Sequence, residues 1–551
     1  MTTVSALLRA RAGDTHPGLV FEDDAWTYDG VVAESAARAA YLLDNRAPGA
    51  FHVGVLLDNV PDFAFWLGAA AFAGAAVVGI NPTRRGDELA RDIGHSECQL
   101  IVTERSYEPM LEGLDTGVAR ERMLVVDSPE YCATLDAFRT ARLDDVVQDV
   151  NPRDPYLLLF TSGTSGAPKA VLNSQAKTAF AGQRLTELQR LSPDDVIYLA
   201  MPMFHSNALF AGWSPALAAG ATAALRRRFS ASGFIDDVRK FGVTYFNYVG
   251  KPLSYILATP ERPDDADNTL RVVFGNEGAD HDLDRFAARF GCQVIDAYGS
   301  TEGGAMVMRS PNMPAGSLGM APEGTLVLNA ETGEECPRAR FGAEGRLLNA
   351  DEAIGELVNT SNVGSFEGYW KNDEANAQRV RDGSYWTGDL AYRDEKGYVY
   401  FAGRDFEWLR VDGENFAAAP VERILSRHRD VTLAAVYAVP DAEVGDQVMA
   451  ALLLRPGADF DPAEFDGFLA AQPDLGTKWS PRFVRVTGEL PVTPSNKVLK
   501  RPLRRERWEC ADPVWWRPQK GALYRSLEPA DIDQLRKEFE ARGRTAALDA
   551  V

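Results

Sequence analysis

Short apolar runs separated by longer helix-like stretches set the rhythm of the chain. His52 to Leu57, Gln99 to Val102, Val196 to Ala200, Val243 to Tyr248, Leu270 to Phe274 and Gln293 to Ala297 read as buried strands. Their alternation with helical stretches predicts an α/β chain whose large N-terminal domain stacks largely parallel sheets with helices. After Gly403 the rhythm changes to a strand-like Val431 to Val439, an acidic helix around Asp461 to Ala471 and a basic stretch from Lys497 to Arg507. That shift predicts a smaller α+β domain of about a hundred residues or more. An aromatic cluster, Trp515, Trp516 and Tyr524, followed by the helix-like Asp531 to Arg544, predicts a folded tail.

One run tests the pattern. Phe63 to Ile80 is eighteen apolar residues long, enough for a transmembrane helix by length alone. Seven of the eighteen are alanine and three are glycine, and the run turns β-branched after Gly74. A buried helix followed by a buried strand is expected, with no membrane insertion. The formal net charge of −21 in 551 residues argues against nucleic-acid partners and anionic membranes, so any anion must be held by local groups. Five scattered cysteines form no CxxC pair, and the first residues lack a secretory pattern, which points to the cytoplasm.

Those local groups are dense in one place. Leu157 to Lys169 reads LLLFTSGTSGAPK, a strand running into a loop of hydroxyls and glycines that ends on lysine. Thr161, Ser162, Gly163, Thr164, Ser165, Gly166 and Lys169 are candidates for cradling phosphates, because glycine lets backbone N–H groups approach and the hydroxyls and lysine add donors. The spacing is not that of a Walker A loop. A flexible Gly/Ser turn is the plainer alternative.

This loop and several later segments resemble the adenylate-forming superfamily of acyl-CoA synthetases, peptide-synthetase adenylation domains and luciferases, over roughly Gly54 to Arg504. Asp296 to Gly304 reads DAYGSTEGG, similar to the family's YGxTE segment. The resemblance implies a nucleotide site formed by Asp296, Ala297, Tyr298, Gly299, Ser300, Thr301 and Glu302, with Tyr298 stacked on adenine and Thr301 on the α-phosphate. Glu302 and Thr161 are the implied Mg2+ ligands. Asp389, in WTGDL, falls where the family binds ribose, with Arg404 at the family spacing, and Gly275, Asn276 and Glu277 resemble its adenine-side loop. His205, in MPMFHSN, and Tyr248, Val249 and Gly250 match the acid pocket. Gly403 to Asn415 is similar to the hinge on which a mobile C-terminal domain rotates, which sets domains of 1–404 and 405–551. Gly413 is implied to line the CoA thiol path. Phe406 departs from the Asp or Lys common at the pivot.

Pro491 to Arg504 resembles the segment that delivers the catalytic lysine, here Lys497, although Asn496 stands where a glycine is usual. A cation there would bridge the attacking carboxylate and the α-phosphate. Each residue also has a plain structural reading: Glu302 as a helix cap, Asp389 in a turn, Arg404 in a surface ion pair, His205 in the core, Lys497 on a basic helix. Thr161, Glu302, His205 and Lys497 are the expected catalytic residues. The implied activity is ATP-dependent activation of a carboxylic acid, in the first place a fatty acid, as acyl-AMP and transfer to CoA. A carrier protein or amine acceptor, a nitrite substrate, or an inactive nucleotide-binding regulator remain alternatives.

Overall fold

The computed structural model describes the chain apart from residues 162–168, 279, 310–311, 343–346, 362, 364–365, 404–407, 412–413, 443–444, 473, 477, 493–497, 520 and 550–551. Two large sheets make up most of the N-terminal domain. The first has eight strands in the order Val307–Met308, Gln293–Tyr298, Val272–Asn276, Tyr245–Val249, Val196–Leu199, Thr222–Leu225, Pro17–Phe21 and Asp24–Thr27. Neighbours are parallel except at the two ends. The second has six, in the order Met123–Val125, Cys98–Thr103, His52–Leu56, Ala76–Gly79, Pro155–Thr161 and Lys169–Ser174, parallel up to the final antiparallel pair. The α/β class and the stacked, largely parallel sheets are therefore as the sequence indicates.

Between the sheets lies the main core, with helices Tyr28–Asp44 and Pro61–Ala73 at its centre. Every residue of the second helix from Phe63 to Ala73 is buried. It stops at Gly74, whose φ of +70° closes the helix in the left-handed region, and the chain re-enters the sheet as Ala76–Gly79. The apolar run is thus a buried helix and strand. Among the described residues no helix is long and apolar enough to cross a membrane.

A third sheet was not expected. Gly319–Met320, Tyr398–Gly403, Ser384–Arg393, Gly355–Asn359 and Thr325–Leu328 pair antiparallel and carry WTGDL on their longest strand. Beyond it, the antiparallel strands Trp408–Val411 and Glu414–Ala417 contribute Leu409, Val411 and Phe416 to the C-terminal core. The smaller domain has a five-stranded, mainly antiparallel sheet, Val431–Pro440, Asp446–Leu454, Phe483–Thr487, Val514–Trp516 and Arg525–Ser526, with apolar clusters on both faces. Trp516 and Tyr524 are buried, so the tail is part of this core.

Candidate active site

A cavity of about 2040 Å³ opens where four strands end. Thr161, Val249, Asn276 and Tyr298 are the last residues of their strands, and all four line it. The carboxyl ends of parallel strands are where open α/β sheets bind ligands. His205, Glu277, Ala297, Gly299, Ser300 and Thr301 line the same cavity.

The YGSTE segment is fixed from both sides. The hydroxyls of Thr301 and Ser206 are 2.8 Å apart. Lys177, on helix Gln175–Gln189, donates through Nζ to the carbonyls of Glu302 at 2.8 Å and Thr301 at 3.4 Å. Burial brings the Lys177 ammonium down to about 8, with Glu367 and Glu302 opposing. The Glu302 side chain is buried and accepts at Oε1 from the Tyr369 hydroxyl at 2.9 Å. Its Oε2 makes no hydrogen bond among the described residues. Lys169, at the start of its strand, is also buried, which lowers its pKa, as does Arg379 nearby. Gly304 must be glycine, because a Cβ there would come within 2.1 Å of the Tyr385 ring.

Tyr298 donates from its hydroxyl to Asp389 Oδ2 at 2.6 Å, so the two residues matched to adenine and ribose meet directly. Asp389 is 5% exposed, and its backbone N–H is held by Thr387 Oγ1 at 3.1 Å. A carboxylate has about four acceptor positions, so the tyrosine hydroxyl alone does not saturate it.

On the side matched by resemblance to the acid pocket, the residues from His205 onward form a helical segment with a π turn at Leu209–Trp213, which brings Phe210 and Ala211 to the cavity. Pro215, without an N–H, comes just after that turn. Gly79 lets the loop approach, since a Cβ there would meet the Phe204 carbonyl at 2.6 Å. Asn207 donates to the Tyr248 carbonyl at 2.9 Å and accepts from Asn247 at 2.8 Å. Tyr248 itself is fully buried behind Val249, with its hydroxyl on Asp296 Oδ2 at 2.5 Å. The same oxygen accepts from the Gly278 N–H at 2.9 Å, tying down the turn where Glu277 has a φ of +63°. Asp296 is therefore a brace behind the wall. Burial, above all, raises its pKa to about 7, with Glu277 adding to the rise. Gly275 sits where a Cβ would strike the Tyr248 carbonyl at 2.2 Å, and the Gly250 N–H donates to the Asn276 carbonyl at 2.9 Å.

Ser162, Gly163, Thr164, Ser165, Gly166, Arg404, Gly413 and Lys497 lie outside the described residues, as does Phe406. The chain on either side of Lys497 is described: Val492, Leu499 and Arg501 line the cavity, and Val492 bridges Val498. Sequence reading missed Lys177, Tyr369, Arg379 and the Asn207–Asn247 pair. Only Lys177 carried a local signal, because a lysine in the first turn of a helix opposes the dipole and needs another reason to be there. For magnesium, the Glu302 carboxylate and the Thr161 hydroxyl are hard oxygen donors, and Glu302 Oε2, which has no hydrogen bond among the described residues, suits a metal ligand; the donor chemistry fits.

Two family descriptions match the chain, an AMP-binding enzyme over residues 9–370 and an AMP-binding enzyme C-terminal domain over 420–497. The chain belongs to the AMP-binding enzyme family. It is 50% identical to a steroid-22-oyl-CoA synthetase of Rhodococcus jostii (strain RHA1), over 99% of each chain. It is also 50% identical to the medium/long-chain-fatty-acid–CoA ligase FadD17 of Mycobacterium marinum, over 93% of this chain and 98% of the relative. Its fold is shared with the ATP-bound MatB of Rhodopseudomonas palustris (TM-score 0.77, 24% identity, 92% of this chain and 98% of that one). A benzoate CoA ligase of Burkholderia xenovorans LB400 gives a TM-score of 0.78 at 20% identity, over 92% and 100% of the two chains. As a family member this protein is an ATP-dependent, adenylate-forming enzyme.

Proposed function

We propose that this protein activates a bulky apolar carboxylic acid, such as a long-chain or polycyclic one, as its acyl adenylate and transfers the acyl group to CoA. It is an AMP-forming acid–thiol ligase, and the apolar side chains on one wall of the cavity support a large acid. Lys177, Ala181, Leu185 and Leu188 line one wall along a single face of helix Gln175–Gln189. At 1.5 Å per residue, that wall runs about 16 Å away from the Thr301–Glu302 turn. Phe210, Met306 and Met308 add apolar surface to a wall that also carries Gln183 and Arg184, which supports a large acid with its apolar body along the leucines. The names of the two relatives at 50% identity, a steroid-22-oyl-CoA synthetase and a medium/long-chain-fatty-acid–CoA ligase, support the same class.

In this reading ATP lies with adenine against Tyr298 and Gly275–Glu277, ribose hydroxyls on Asp389 and Arg404, and phosphates on the Thr161–Lys169 loop and Thr301. Glu302 and Thr161 would hold magnesium, which when bound supplies charge neutralisation on the phosphates. The carboxylate of the acid, beside His205 and Val249, attacks the α-phosphorus in line and pyrophosphate leaves. Lys497 bridges the two anions; Val492, Leu499 and Arg501 on the cavity wall support bringing it there. The domain 405–551 then turns on 1–404, and the CoA thiol passes Gly413 to attack the acyl carbonyl, releasing AMP. The need for ATP and CoA favours a cytoplasmic setting. The comparisons give no support to a carrier-protein or amine acceptor, and nitrite would leave that apolar surface without use.

Pyrophosphate release measured across short, long-chain and polycyclic acids, with and without CoA, tests the reading. Release should favour large apolar acids, with AMP and thioester appearing when CoA is added. Lys497→Ala should cut release by about two to three orders of magnitude and spare thioester formation from a supplied acyl adenylate. Preference for a short polar acid, or AMP without thioester, refutes it.

A further inference from the structure

Glu302, Tyr369 and Arg379 come from three separate segments and meet in one directed chain. Arg379 Nε donates to the Tyr369 hydroxyl oxygen at 3.1 Å, and that hydroxyl donates to Glu302 Oε1 at 2.9 Å. The direction is forced. A guanidinium has only donors, so the tyrosine oxygen must accept from it, and its single hydrogen goes on to the carboxylate. Tyr369 is 1% exposed, so its hydroxyl is held to these two partners and not to solvent.

The tyrosine is itself held by backbone. Residues 368–370 run beside strand Lys169–Ser174, with Trp370 N–H on the Ala170 carbonyl at 2.8 Å and Leu172 N–H on the Gly368 carbonyl at 2.9 Å. Arg379 also donates to the Trp386 carbonyl at 3.3 Å, in space that Gly388 leaves open: a Cβ there would come within 2.4 Å of Arg379 Nη1. On its face, the Tyr369 ring has Lys169 Nζ at 5.7 Å from the centroid. One side chain therefore touches both a candidate phosphate cation and the candidate metal carboxylate.

We propose that Tyr369 is a positioning residue for the metal that accompanies the nucleotide: its hydroxyl, oriented by Arg379, fixes the Glu302 carboxylate so that Oε2 faces the ion. This rests on the reading of Glu302 as a magnesium ligand. Groups that orient a metal ligand typically change metal affinity by roughly 10- to 100-fold when removed, and they do so without touching the ion or the nucleotide.

The test is calorimetric binding of α,β-methylene-ATP with excess Mg2+ and again in EDTA, so that the gain due to metal is read without turnover. Glu302→Gln should abolish most of that gain. Tyr369→Phe should reduce it roughly 10-fold and leave binding in EDTA unchanged, because the ring that faces Lys169 is retained. Tyr369→Leu should weaken binding in EDTA as well. Arg379→Lys, which keeps a cation but not the Nε–H geometry, should fall between wild type and Tyr369→Phe. If Glu302→Gln keeps the full gain, the metal-ligand reading is wrong. If Glu302→Gln loses it while Tyr369→Phe matches wild type, Glu302 stands as the ligand and the positioning role of Tyr369 is overturned.

Discussion

Asp296→Asn isolates a buried ionisation that the fold carries at a cost. In the folded protein the carboxyl is pushed from its ordinary 3.8 to about 7, chiefly by burial, while the Tyr248 hydroxyl, the Gly278 N–H and Arg309 pull it down. A carboxyl with a raised folded pKa binds more protons folded than unfolded between those values, so it loses stability as pH rises from about 4 to 7. At 1.36 kcal/mol per unit the full loss is about 4 kcal/mol. Asparagine can accept both hydrogen bonds with Oδ1 and has no charge to bury, so it escapes the loss. Urea unfolding of the two proteins, followed by tryptophan emission at pH 5, 6, 7 and 8, gives the difference directly and cancels every other titrating group. The variant should gain on wild type by about 3 kcal/mol between pH 5 and pH 8, with the change complete by pH 8. A difference that stays flat, or that moves in favour of wild type as pH rises, would mean that Asp296 is ionised throughout and that the tie between Tyr248 and Gly278 is an ordinary solvated one.

Two further substitutions address the nucleotide side. Lys177→Met removes the donor to the carbonyls of Thr301 and Glu302 while relieving a buried ammonium; thermal stability near pH 7 should change little, and pyrophosphate release should fall roughly 10- to 100-fold through misplacement of the turn. Equal rates in the two proteins would show that the turn holds itself. Asp389→Ala removes the partner of the Tyr298 hydroxyl together with the proposed ribose acceptor; the ATP KM should rise by about 10- to 100-fold, as expected for loss of a charged hydrogen bond of about 1.5 to 3 kcal/mol. An unchanged KM would remove Asp389 from the nucleotide site.

What was legible in the sequence is what is local. DAYGSTEGG and WTGDL are contiguous, and the residues within them that face the cavity can be named before any contact is known. The break in the apolar run at Gly74 was legible for the same reason: a helix-stopping residue and a switch to β-branched side chains occur at one point. The Tyr369–Glu302 contact was not, because it depends on residues 368–370 lying beside a strand some two hundred positions earlier. The third sheet escaped notice because its strands are short or half exposed, and alternating antiparallel strands lack the continuous apolar runs of the parallel sheets. Tyr248 was matched to the acid pocket with Val249 and Gly250 by resemblance to the family segment. Alternation along a strand puts neighbours on opposite faces, and the structure buries the tyrosine on Asp296.

The way the small domain is seated bears on how it would move. Its contacts with the large domain include the hydrogen bond from Arg423 Nη1 to the Gly316 carbonyl at 2.9 Å and the packing of Tyr255 against the cluster around Leu433 and Tyr437. A hydrogen bond from a charged group contributes about 1.5 to 3 kcal/mol net, and interfaces between domains of one chain are in general no stronger than transient complexes. By contrast, Glu302, Thr301, Tyr369, Lys169 and Lys177 are all fixed within the large domain by hydrogen bonds and strand pairing that rotation would leave intact. A turn of the small domain would therefore exchange Val492, Leu499 and Arg501 at the cavity for another face while the groups proposed to hold phosphate and metal stay set. On the proposed two-step reaction this division is what is needed: the acyl adenylate must remain held while the group that stabilised its formation leaves and the thiol takes its place.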